Sequence, residues 1–359
     1  MIEEIRLDRL CLPLKEPYKL AMGTVNAFDT IVARVVVNGR EGLGETTILT
    51  GYTNETIDDA WPRAATLASK LIGLDCEAAT ALAERDLGDA PFTLTAFATA
   101  IEMALEHPLL VVSAEQHVPL LAGINATSFA DIEHEIEAAA MAGYGTLKIK
   151  AGFEIEADLA RVAFIQKCNA GRLKLRVDAN QGFSCEDGVR FAAMLSPDAI
   201  ELLEQPCHAE DWDAAKAVAA VSTVPLMLDE SIYDLEDIKR AADLGAAFVK
   251  LKLMKMTSLT KLAEGLDLIR NLGMQPVLGN GVASDIGCWM EACVARRHIT
   301  NAGEMNGFLR QRQSLSSQPI EIVSGRMKLV DGMPLTLNDE RVAALRVAHT
   351  HANRLSPAK

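Results

Sequence analysis

The stretch GTLKIKAGF, residues 145–153, places two lysines in a segment that otherwise has the composition of a buried strand. Side chains in a strand point alternately to opposite faces, so Lys148 and Lys150 share one face and the apolar side chains beside them take the other. Like charges on one face repel, and an unpaired buried ammonium group is costly. Taken alone, the segment fits either a solvated edge strand, which lysines commonly protect, or a site that needs two cations.

Short apolar segments alternate with amphipathic ones from residue 117 onward, a rhythm typical of βα units and a parallel sheet. The helical segments include residues 156–171 and 234–247, each with a glycine near its end, and Asp234 is the expected N-cap of the second. Eight strand candidates are present, in the order HVPLLAGI, GTLKIKAG, RLKLRVDAN, AIELLEQP, VPLMLDESI, AFVKLKLM, QPVLGNGV and NAGEMNG.

Eight successive βα units predict a closed (β/α)8 barrel, in which the eighth strand is poorly patterned. An open, doubly wound sheet is the alternative. Such a sheet normally carries a glycine-rich phosphate turn after its first strand, and the sequence LLAGINATS does not supply one. We therefore predict the barrel.

The N-terminal segment has a different pattern. Residues 4–15 and 29–46 alternate like antiparallel strands, with NGREG as a tight turn, and helical segments follow from 55 to 107. The tail, RMKLVDGMPLTLNDERVAALRV, returns to short strands. We predict an α/β protein with three parts: an N-terminal α+β capping domain (1–115), a barrel that forms the catalytic domain (116–325) and a C-terminal tail that completes the cap (326–359).

Composition and charge limit the class of function. The chain has 359 residues, 49% of them hydrophobic and 23% charged, the balance of a soluble globular protein. The net charge of −14 argues against a nucleic-acid or membrane partner, although local cations or a metal can reverse the potential inside a cleft. The seven cysteines form no CxxC pair, which predicts free thiols in a reducing compartment. No apolar run has the length of a signal peptide or a membrane span, and together these features predict a cytoplasmic protein.

Polar residues end the second to eighth predicted barrel strands, and in a barrel these ends surround one mouth. Taken singly, Asp178 fits a turn residue and Asp229 fits a helix cap. Together with Glu204, however, they end adjacent strands at nearly equal spacing, and three acids without a cation would repel strongly. Carboxylate oxygens on rigid elements suit Mg²⁺. The strand-end residues, in chain order, are Lys148 and Lys150, Asp178, Glu204, Asp229, Lys252, Asn280 and Glu304.

Lysines flank these acids in the order of the strands. Lys150 on the second strand and Lys252 on the sixth would lie nearly opposite each other across a metal-bound substrate. An ammonium group beside another lysine and a divalent cation is pushed toward its neutral form, which makes it a usable base near neutral pH. Lys148 then either helps to keep Lys150 deprotonated or contacts the substrate. Lys250 shares the strand face of Lys252, and we assign the catalytic position to Lys252.

With these motifs the chain resembles the enolase superfamily, in its muconate-lactonizing-enzyme subgroup. The resemblance covers nearly the whole chain and implies an α+β capping domain, a modified (β/α)7β barrel and a returning tail. It implies that Lys150 and Lys252 are the acid/base catalysts and that Asp178, Glu204 and Asp229 hold Mg²⁺, for which Mn²⁺ can substitute. The motifs that carry it are LKIKAG, VDANQGF, LLEQP, MLDES and VKLKLMK.

The resemblance also implies the reaction: abstraction of the proton α to a substrate carboxylate through an enediolate. Two facing lysines favour a racemase or epimerase of an amino-acid derivative or related acid. A muconate-type cycloisomerase and a dehydratase or o-succinylbenzoate-synthase-like lyase remain alternatives on the same site. The mandelate-racemase branch is disfavoured because LGNGVASD carries no His. A non-catalytic binding protein and a Schiff-base or His-ligated barrel enzyme are weaker alternatives, since all five catalytic positions are present and the histidines form no metal-spaced pair.

Several features bear on the substrate. Glu304 resembles the last-strand Glu of muconate cycloisomerases, but the expected FGP is absent, and Glu304-x-Asn306 lacks one acid of the Asp-x-Asp of dipeptide epimerases, which argues against dipeptides. Residues 21–28 and 47–55 take the positions of two specificity loops, with Thr24 and Tyr52 as lid residues; ordinary surface loops are the alternative. We expect a homo-oligomer that binds a small-molecule carboxylate through Lys148, Asn280 and Glu304.

Overall fold

The computed structural model describes residues 1–20, 23–49, 53–126, 128–332 and 335–354. No helix in these ranges is both long and apolar enough to cross a membrane. The seven cysteines all lie within them and all are free thiols, as predicted. The predicted domain boundaries and the predicted homo-oligomeric state remain predictions.

The N-terminal segment forms a β-meander followed by helices. The loop between its second and third strands is Asn38-Gly39, with φ of 50° and 74°, positive at both positions as a type I′ hairpin requires. This is the tight turn expected within NGREG. The elements are β1 (Ile2–Leu20), β2 (Gly23–Val37), β3 (Arg40–Ile48), α1 (Ile57–Leu71), α2 (Cys76–Leu87) and α3 (Pro91–Ala104).

Helix α3 packs closely on the third strand because that strand carries glycines. A Cβ atom on Gly42 would lie 2.0 Å from the carbonyl oxygen of Ala100, and one on Gly44 would lie 2.0 Å from that of Ala96. Any side chain at either position would therefore push the helix away from the sheet. Most of α3 is buried, from Phe92 to Ala104.

The parallel sheet contains seven strands in consecutive order. The predicted first strand, HVPLLAGI, is divided, since its first half is a separate strand outside this sheet. That separate strand is β4 (Gln116–Pro119). The parallel strands are β5 (Ala122–Ile124), β6 (Thr146–Lys150), β7 (Lys174–Asp178), β8 (Ile200–Glu204), β9 (Leu226–Leu228), β10 (Phe248–Leu251) and β11 (Gln275–Leu278).

The eighth strand is reduced to a parallel bridge between Gly303 and Leu120, and it closes the barrel. On one side, the carbonyl of Gly303 accepts from Leu121 N–H at 3.0 Å. On the other side, Glu304 N–H donates to the carbonyl of Leu278, at the end of β11, also at 3.0 Å. The predicted weak eighth strand is thus confirmed, and the open-sheet alternative is wrong.

Helices follow the strands, as the βα rhythm predicts. Asp234 caps its helix as expected: its carboxylate accepts from Glu236 N–H and Asp237 N–H, and Asp237 completes a capping box. After the eighth strand only a 3₁₀ turn is present (Gly307–Arg310). The helices are α4 (Phe129–Met141), α5 (Ile155–Asn169), α6 (Cys185–Met194), α7 (Trp212–Val221), α8 (Leu235–Asp243), α9 (Leu253–Met256), α10 (Leu259–Asn271) and α11 (Asp285–His298).

The tail divides between the two parts of the molecule. Its elements are β12 (Ile322–Val323), β13 (Arg326–Leu329), α12 (Asp339–Leu345) and β14 (Arg346–Asn353). Strand β14 pairs with β1 and completes the antiparallel cap sheet, as predicted, whereas β13 pairs with β4 at the entrance to the barrel.

One part of the tail prediction is wrong, because the segment NDERVAAL forms a helix and not a strand. Asn338 caps this helix by accepting from Arg341 N–H at 2.9 Å, and two acids occupy the first turn. Both features stabilise a helix N-terminus. Local capping therefore overrides the strand pattern.

Candidate active site

The barrel brings the predicted strand-end residues to one mouth. In the parallel register, Lys150 lies opposite Asp178, and Asp178 lies opposite Glu204. One layer deeper, apolar side chains form a separate buried cluster inside the barrel. Because inward positions recur every two residues, Glu204, Asp229 and Lys250 point into the barrel directly above that cluster. The cluster comprises Leu202, Met227, Phe248 and Val277.

Two buried lysines lie among the four acids. The Nζ atom of Lys148 lies 2.8 Å from Asp178, 2.9 Å from Glu204 and 2.9 Å from Glu304. Lys250 lies 3.1 Å from Glu204 and 3.3 Å from Asp229, and it also pairs with Glu304. We call Lys148 and Lys250 the inner lysines. They connect all four carboxylates in one network.

Two further lysines lie nearer the mouth, two residues along each strand. Lys150 Nζ lies 2.6 Å from Oδ2 of Asp178 and also donates to the amide oxygen of Asn180. Lys252 Nζ lies 2.8 Å from Oδ2 of Asp229. We call Lys150 and Lys252 the outer lysines. Lys150 ends the second strand of the barrel and Lys252 follows the sixth, which places them on nearly opposite strands.

The outer lysines differ in their pKa. Burial and the neighbouring Lys255 hold the pKa of Lys252 well below its usual range. Burial also acts to lower the pKa of Lys150, but the carboxylate of Asp178 outweighs it and the pKa of Lys150 is raised. Lys148 does lower the pKa of Lys150, the sign expected from the sequence, yet this effect is smaller than that of Asp178. In this arrangement Lys252 favours its neutral form and Lys150 its ammonium form.

The inner lysines are held in the charged form. Burial alone would lower the pKa of Lys148, but Asp178, Glu204 and Glu304 outweigh it and hold that pKa well above its usual range. The pKa of Lys250 is raised for the same reason, chiefly by Glu204 and Glu304. Their positive charges keep Glu304 ionised, since its pKa is well below the usual range despite burial.

The three predicted metal ligands are chemically suited to a divalent cation. Asp178 and Glu204 contact the same ammonium group on Lys148, and Glu204 and Asp229 contact the same group on Lys250. Rigid carboxylates this close together form a donor set that suits Mg²⁺. Within the described ranges, no three His, Cys, Asp or Glu side chains are arranged to hold a metal as they stand. The inner lysines lie between the acids and would have to turn aside.

A cavity of about 1730 Å³ opens above these residues and includes the predicted Asn280 and Thr24. The Asn280 side chain is engaged within the wall, because it accepts from Val282 N–H at 3.0 Å and donates to the sulfur of Met254. Its predicted contact with substrate therefore remains a prediction. Other side chains that line the cavity include Lys15, Tyr18, Trp212, Glu230, Tyr233 and Arg310.

The predicted lid segments differ in what the structure shows. Within residues 21–28, the described part, from residue 23 onward, belongs to β2, which pairs with β1, and so is a strand and not an irregular loop. Thr24 lines the cavity from that strand. In the second segment, Thr53 and Asn54 line the cavity, whereas Tyr52 lies outside the described residues.

Several cavity and site residues were not predicted from the sequence. Asn180 bonds Lys150 and, at 3.0 Å, Glu230, whose pKa is raised to about 8 by burial and by Asp229. Lys255 donates to the carbonyl oxygen of Asp229 at 2.7 Å. Asn180, Glu230 and Lys255 lie within the quoted motifs VDANQGF, MLDES and VKLKLMK, so the motifs could have indicated them. Tyr18 and Arg310 carried no such signal.

Comparison with known proteins shows the family of the chain. Residues 104–340 match the family model described as Enolase C-terminal domain-like. An aromatic dipeptide epimerase of Herpetosiphon aurantiacus is 30% identical over 324 residues, which is 85% of this chain and 87% of that protein. The match therefore includes the cap as well as the barrel.

Two solved structures are similar over almost their whole length. A dipeptide epimerase from Cytophaga hutchinsonii, complexed with Mg and the dipeptide D-Ala-L-Val, superposes with a TM-score of 0.87 at 20% identity and covers 98% of this chain and 100% of that one. A muconate lactonizing enzyme from Pseudomonas fluorescens, complexed with muconolactone, gives 0.84 at 25% identity, with 96% and 99% covered. The predicted modified barrel with an α+β cap is confirmed. The chain belongs to the Enolase C-terminal domain-like family, within the muconate-lactonizing-enzyme subgroup of the enolase superfamily, and it is an isomerase.

Proposed function

We propose that the chain is an Mg²⁺-dependent racemase or epimerase that exchanges the proton α to a carboxylate of an amino-acid derivative. The observation that carries this proposal is the outer lysine pair. Lys150 and Lys252 lie on opposite strands of one mouth, and their surroundings push their pKa values in opposite directions. Titratable groups whose pKa values are separated in this way are suited to act as acid and base on one substrate.

The metal would be held by Asp178, Glu204 and Asp229. When bound, Mg²⁺ supplies positive charge beside the substrate carboxylate, which lowers the cost of negative charge that develops during proton removal. The donor set described above supports this assignment, and so does the Mg in the structure of the Cytophaga hutchinsonii epimerase. The inner lysines must leave the space between the acids when the cation enters.

The outer lysines carry the proton transfer. Lys252, neutral because it is buried beside Lys255, removes the α proton from one face. Lys150, present as an ammonium group, returns a proton to the opposite face, and the configuration is inverted. For the other enantiomer the roles are exchanged. The buried charge of Lys148 offsets part of the negative charge that forms on the substrate.

The substrate class follows from the surroundings of Glu304. Its two oxygens bond Lys148 at 3.2 and 2.9 Å, and one of them also bonds Lys250. A carboxylate engaged by two buried lysines has little capacity left for a substrate ammonium group. This arrangement supports an amino acid with an acylated nitrogen more than one with a free amine, although the named relatives act on dipeptides.

Proton exchange tests the proposal. Candidate N-acyl amino acids and dipeptides are incubated with the enzyme and Mg²⁺ in D₂O, and the α proton is followed by NMR. We expect loss of the α-proton signal together with inversion, and no loss when EDTA replaces Mg²⁺. A broad set of carboxylates without any exchange would overturn the proposal.

A second candidate is supported by the same asymmetry of the outer lysines. In cycloisomerisation or elimination one lysine transfers the proton, and the other acts mainly through its charge. A pair with one neutral and one charged lysine fits that division as well. The two candidates differ in how each lysine variant behaves toward the two enantiomers, which the final prediction below uses.

A further inference from the structure

Arg310 is a cation that lines the cavity. It ends the 3₁₀ turn that follows the eighth strand. Its guanidinium carbon lies 4.4 Å from the centre of the Tyr18 ring, so the group is stacked on that ring. Within the described ranges its side chain forms no ion pair or hydrogen bond, and its Nε atom is buried without an acceptor. A buried donor left unsatisfied is costly, which points to an acceptor supplied from outside the chain.

Two other arginines line the cavity, and each differs from Arg310 in one respect. Arg161 also has a buried Nε without an acceptor, but its guanidinium group donates to the carbonyls of Lys150 and Ala126 at 2.8 and 3.0 Å. Arg240 is also stacked on a ring, that of Trp212 at 4.2 Å, and forms no ion pair or hydrogen bond within the described ranges, but it is exposed to solvent. Among the three, Arg310 alone combines a buried, unsatisfied Nε with a guanidinium group that makes no hydrogen bond within those ranges.

Tyr18 links Arg310 to the reacting end of the cavity. The ring packs edge-on against Phe28, with ring centres 6.0 Å apart, and this contact holds it in place. Tyr18 is also close enough to Lys150 to contribute to the pKa of that lysine. Through Tyr18, Arg310 thus lies toward the Lys150 side of the cavity.

We propose that Arg310 binds a second anionic group, a carboxylate on the arm of the substrate remote from the reacting carbon. The proposal rests on the proposed function, which places the reacting carbon between the outer lysines. A guanidinium group matches a carboxylate with two parallel hydrogen bonds, and stacking on an aromatic ring fixes its plane for that contact. The carboxylates of Asp178, Asp229 and Glu304 are already paired with lysines and so do not compete for it.

Matched substrates test the proposal. N-acetylglutamate is compared with N-acetylglutamine, and N-succinylalanine with its terminal monoamide, by α-proton exchange in D₂O with Mg²⁺. Each pair differs only in the charge of the distal group. A charge-assisted hydrogen bond predicts a kcat/KM roughly 10- to 100-fold higher for the carboxylate member of the pair whose arm reaches Arg310. In Arg310→Gln that preference should fall to within about threefold, mainly through KM, and Arg310→Lys should keep part of it.

The control variant is Arg326→Gln, which removes one positive charge from the exposed end of β13 and should retain the wild-type preference. Circular dichroism and thermal unfolding establish that each variant is folded. Equal exchange of carboxylate and amide in both wild-type pairs overturns the assignment of Arg310, and so does a preference that survives in Arg310→Gln. In either case the exchange itself still supports the proposed function.

Calorimetry separates the two proposals if exchange fails. The affinities of N-acetylglutamate, N-succinylalanine and their two amide partners are measured for wild type and Arg310→Gln with Mg²⁺ present. If wild type binds the carboxylates more tightly than the amides and Arg310→Gln does not, the result supports the role of Arg310, even without proton exchange. Absence of exchange with any carboxylate then overturns the proposed function alone, whereas binding that is indifferent to the distal charge overturns the inference.

Discussion

The Nζ atom of Lys252 lies 2.8 Å from Oδ2 of Asp229. A base on one strand is thus bonded directly to a proposed metal ligand on the neighbouring strand. A cation that takes this oxygen releases the lysine toward the cavity, where a substrate can meet it. The availability of the base and the occupancy of the metal site are therefore linked through one carboxylate.

The first prediction concerns the metal ligands. Glu204→Gln should weaken Mg²⁺ binding by more than roughly 100-fold and abolish turnover, because Glu204 contributes the central carboxylate of the three. Mg²⁺ affinity is measured by calorimetry and the fold by circular dichroism. Glu156→Gln, which removes an exposed acid on α5, is the control and should bind Mg²⁺ like wild type. Unchanged affinity in Glu204→Gln would rule out this ligand set.

The second prediction concerns the inner lysine on β10. Removing Lys250 leaves Glu204 and Glu304 buried with less compensation, so Lys250→Ala should lower the free energy of unfolding without metal by about 3–5 kcal/mol. Mg²⁺ should restore part of this loss, since a cation can then neutralise the acids. Urea unfolding with Mg²⁺ or with EDTA measures both effects. Lys174→Ala, an exposed lysine paired with Glu201, should change stability by no more than about 1 kcal/mol; an equally small loss in Lys250→Ala would contradict the argument.

Much of this site was predictable because strand periodicity and βα spacing determine which residues share the barrel mouth. The three acids and the outer lysines follow from the positions where apolar strands end. The poor pattern of the eighth strand was also evident in the sequence. The sequence did not indicate that this strand is reduced to a single bridge at Gly303. A single bridge depends on the carbonyls of two neighbouring strands, and no local pattern encodes that.

Other features depend on distances that a sequence does not contain. The sequence suggested that Lys150 is kept neutral by Lys148, but the contact of Lys150 with Asp178 at 2.6 Å reverses the direction of its pKa shift. The periodicity placed Lys250 on the correct face without revealing its contacts with Glu204 and Glu304. Tyr18 and Arg310 come from opposite ends of the chain and meet only after the cap has packed on the barrel.

The third prediction concerns pH. Glu45, on β3, accepts from Ser284 N–H at 2.7 Å and from Gly287 N–H at 3.0 Å, which attaches the cap to the start of α11. Burial outweighs these bonds and raises the pKa of Glu45 from 4.5 to about 7. Between these two values the folded chain keeps a proton that the unfolded chain has released. The free energy of unfolding should therefore fall as pH rises through this window and then level off, by about 3 kcal/mol from this group.

Glu45→Gln isolates that contribution. Glutamine can accept the same backbone bonds with its oxygen and donate to the Ser284 hydroxyl, but it does not titrate. Urea unfolding of both proteins from pH 4.5 to 8 should show that the variant gains stability relative to wild type as pH rises. Glu291, whose pKa is raised to about 8 chiefly by burial, is present in both proteins; Glu45 is the smallest contributor to that rise, so most of the effect of Glu291 cancels in the difference. A difference that does not change with pH would show that folding does not raise the pKa of Glu45.

The last prediction separates two-base from one-base chemistry with the outer lysines. If Lys150 and Lys252 serve opposite faces of one substrate, Lys150→Ala and Lys252→Ala should both lose racemisation or epimerisation. Each should still exchange the α proton of the enantiomer that its surviving lysine serves. Lys148→Ala should slow exchange of both enantiomers, because its charge acts on the intermediate that they share. Exchange is measured by NMR in D₂O with each enantiomer separately.

The pattern across these variants decides the reaction type. Reciprocal loss, with each variant retaining the opposite enantiomer, supports a racemase or epimerase. If one variant loses all exchange while the other only slows and still acts on one enantiomer, the result supports cycloisomerisation or elimination. One lysine then carries every proton. Unchanged exchange in Lys252→Ala would move the sixth-strand base to Lys250, which lies deeper on the same strand face and pairs with the same Asp229. Unchanged exchange in both variants would contradict any role of the outer lysines in proton transfer.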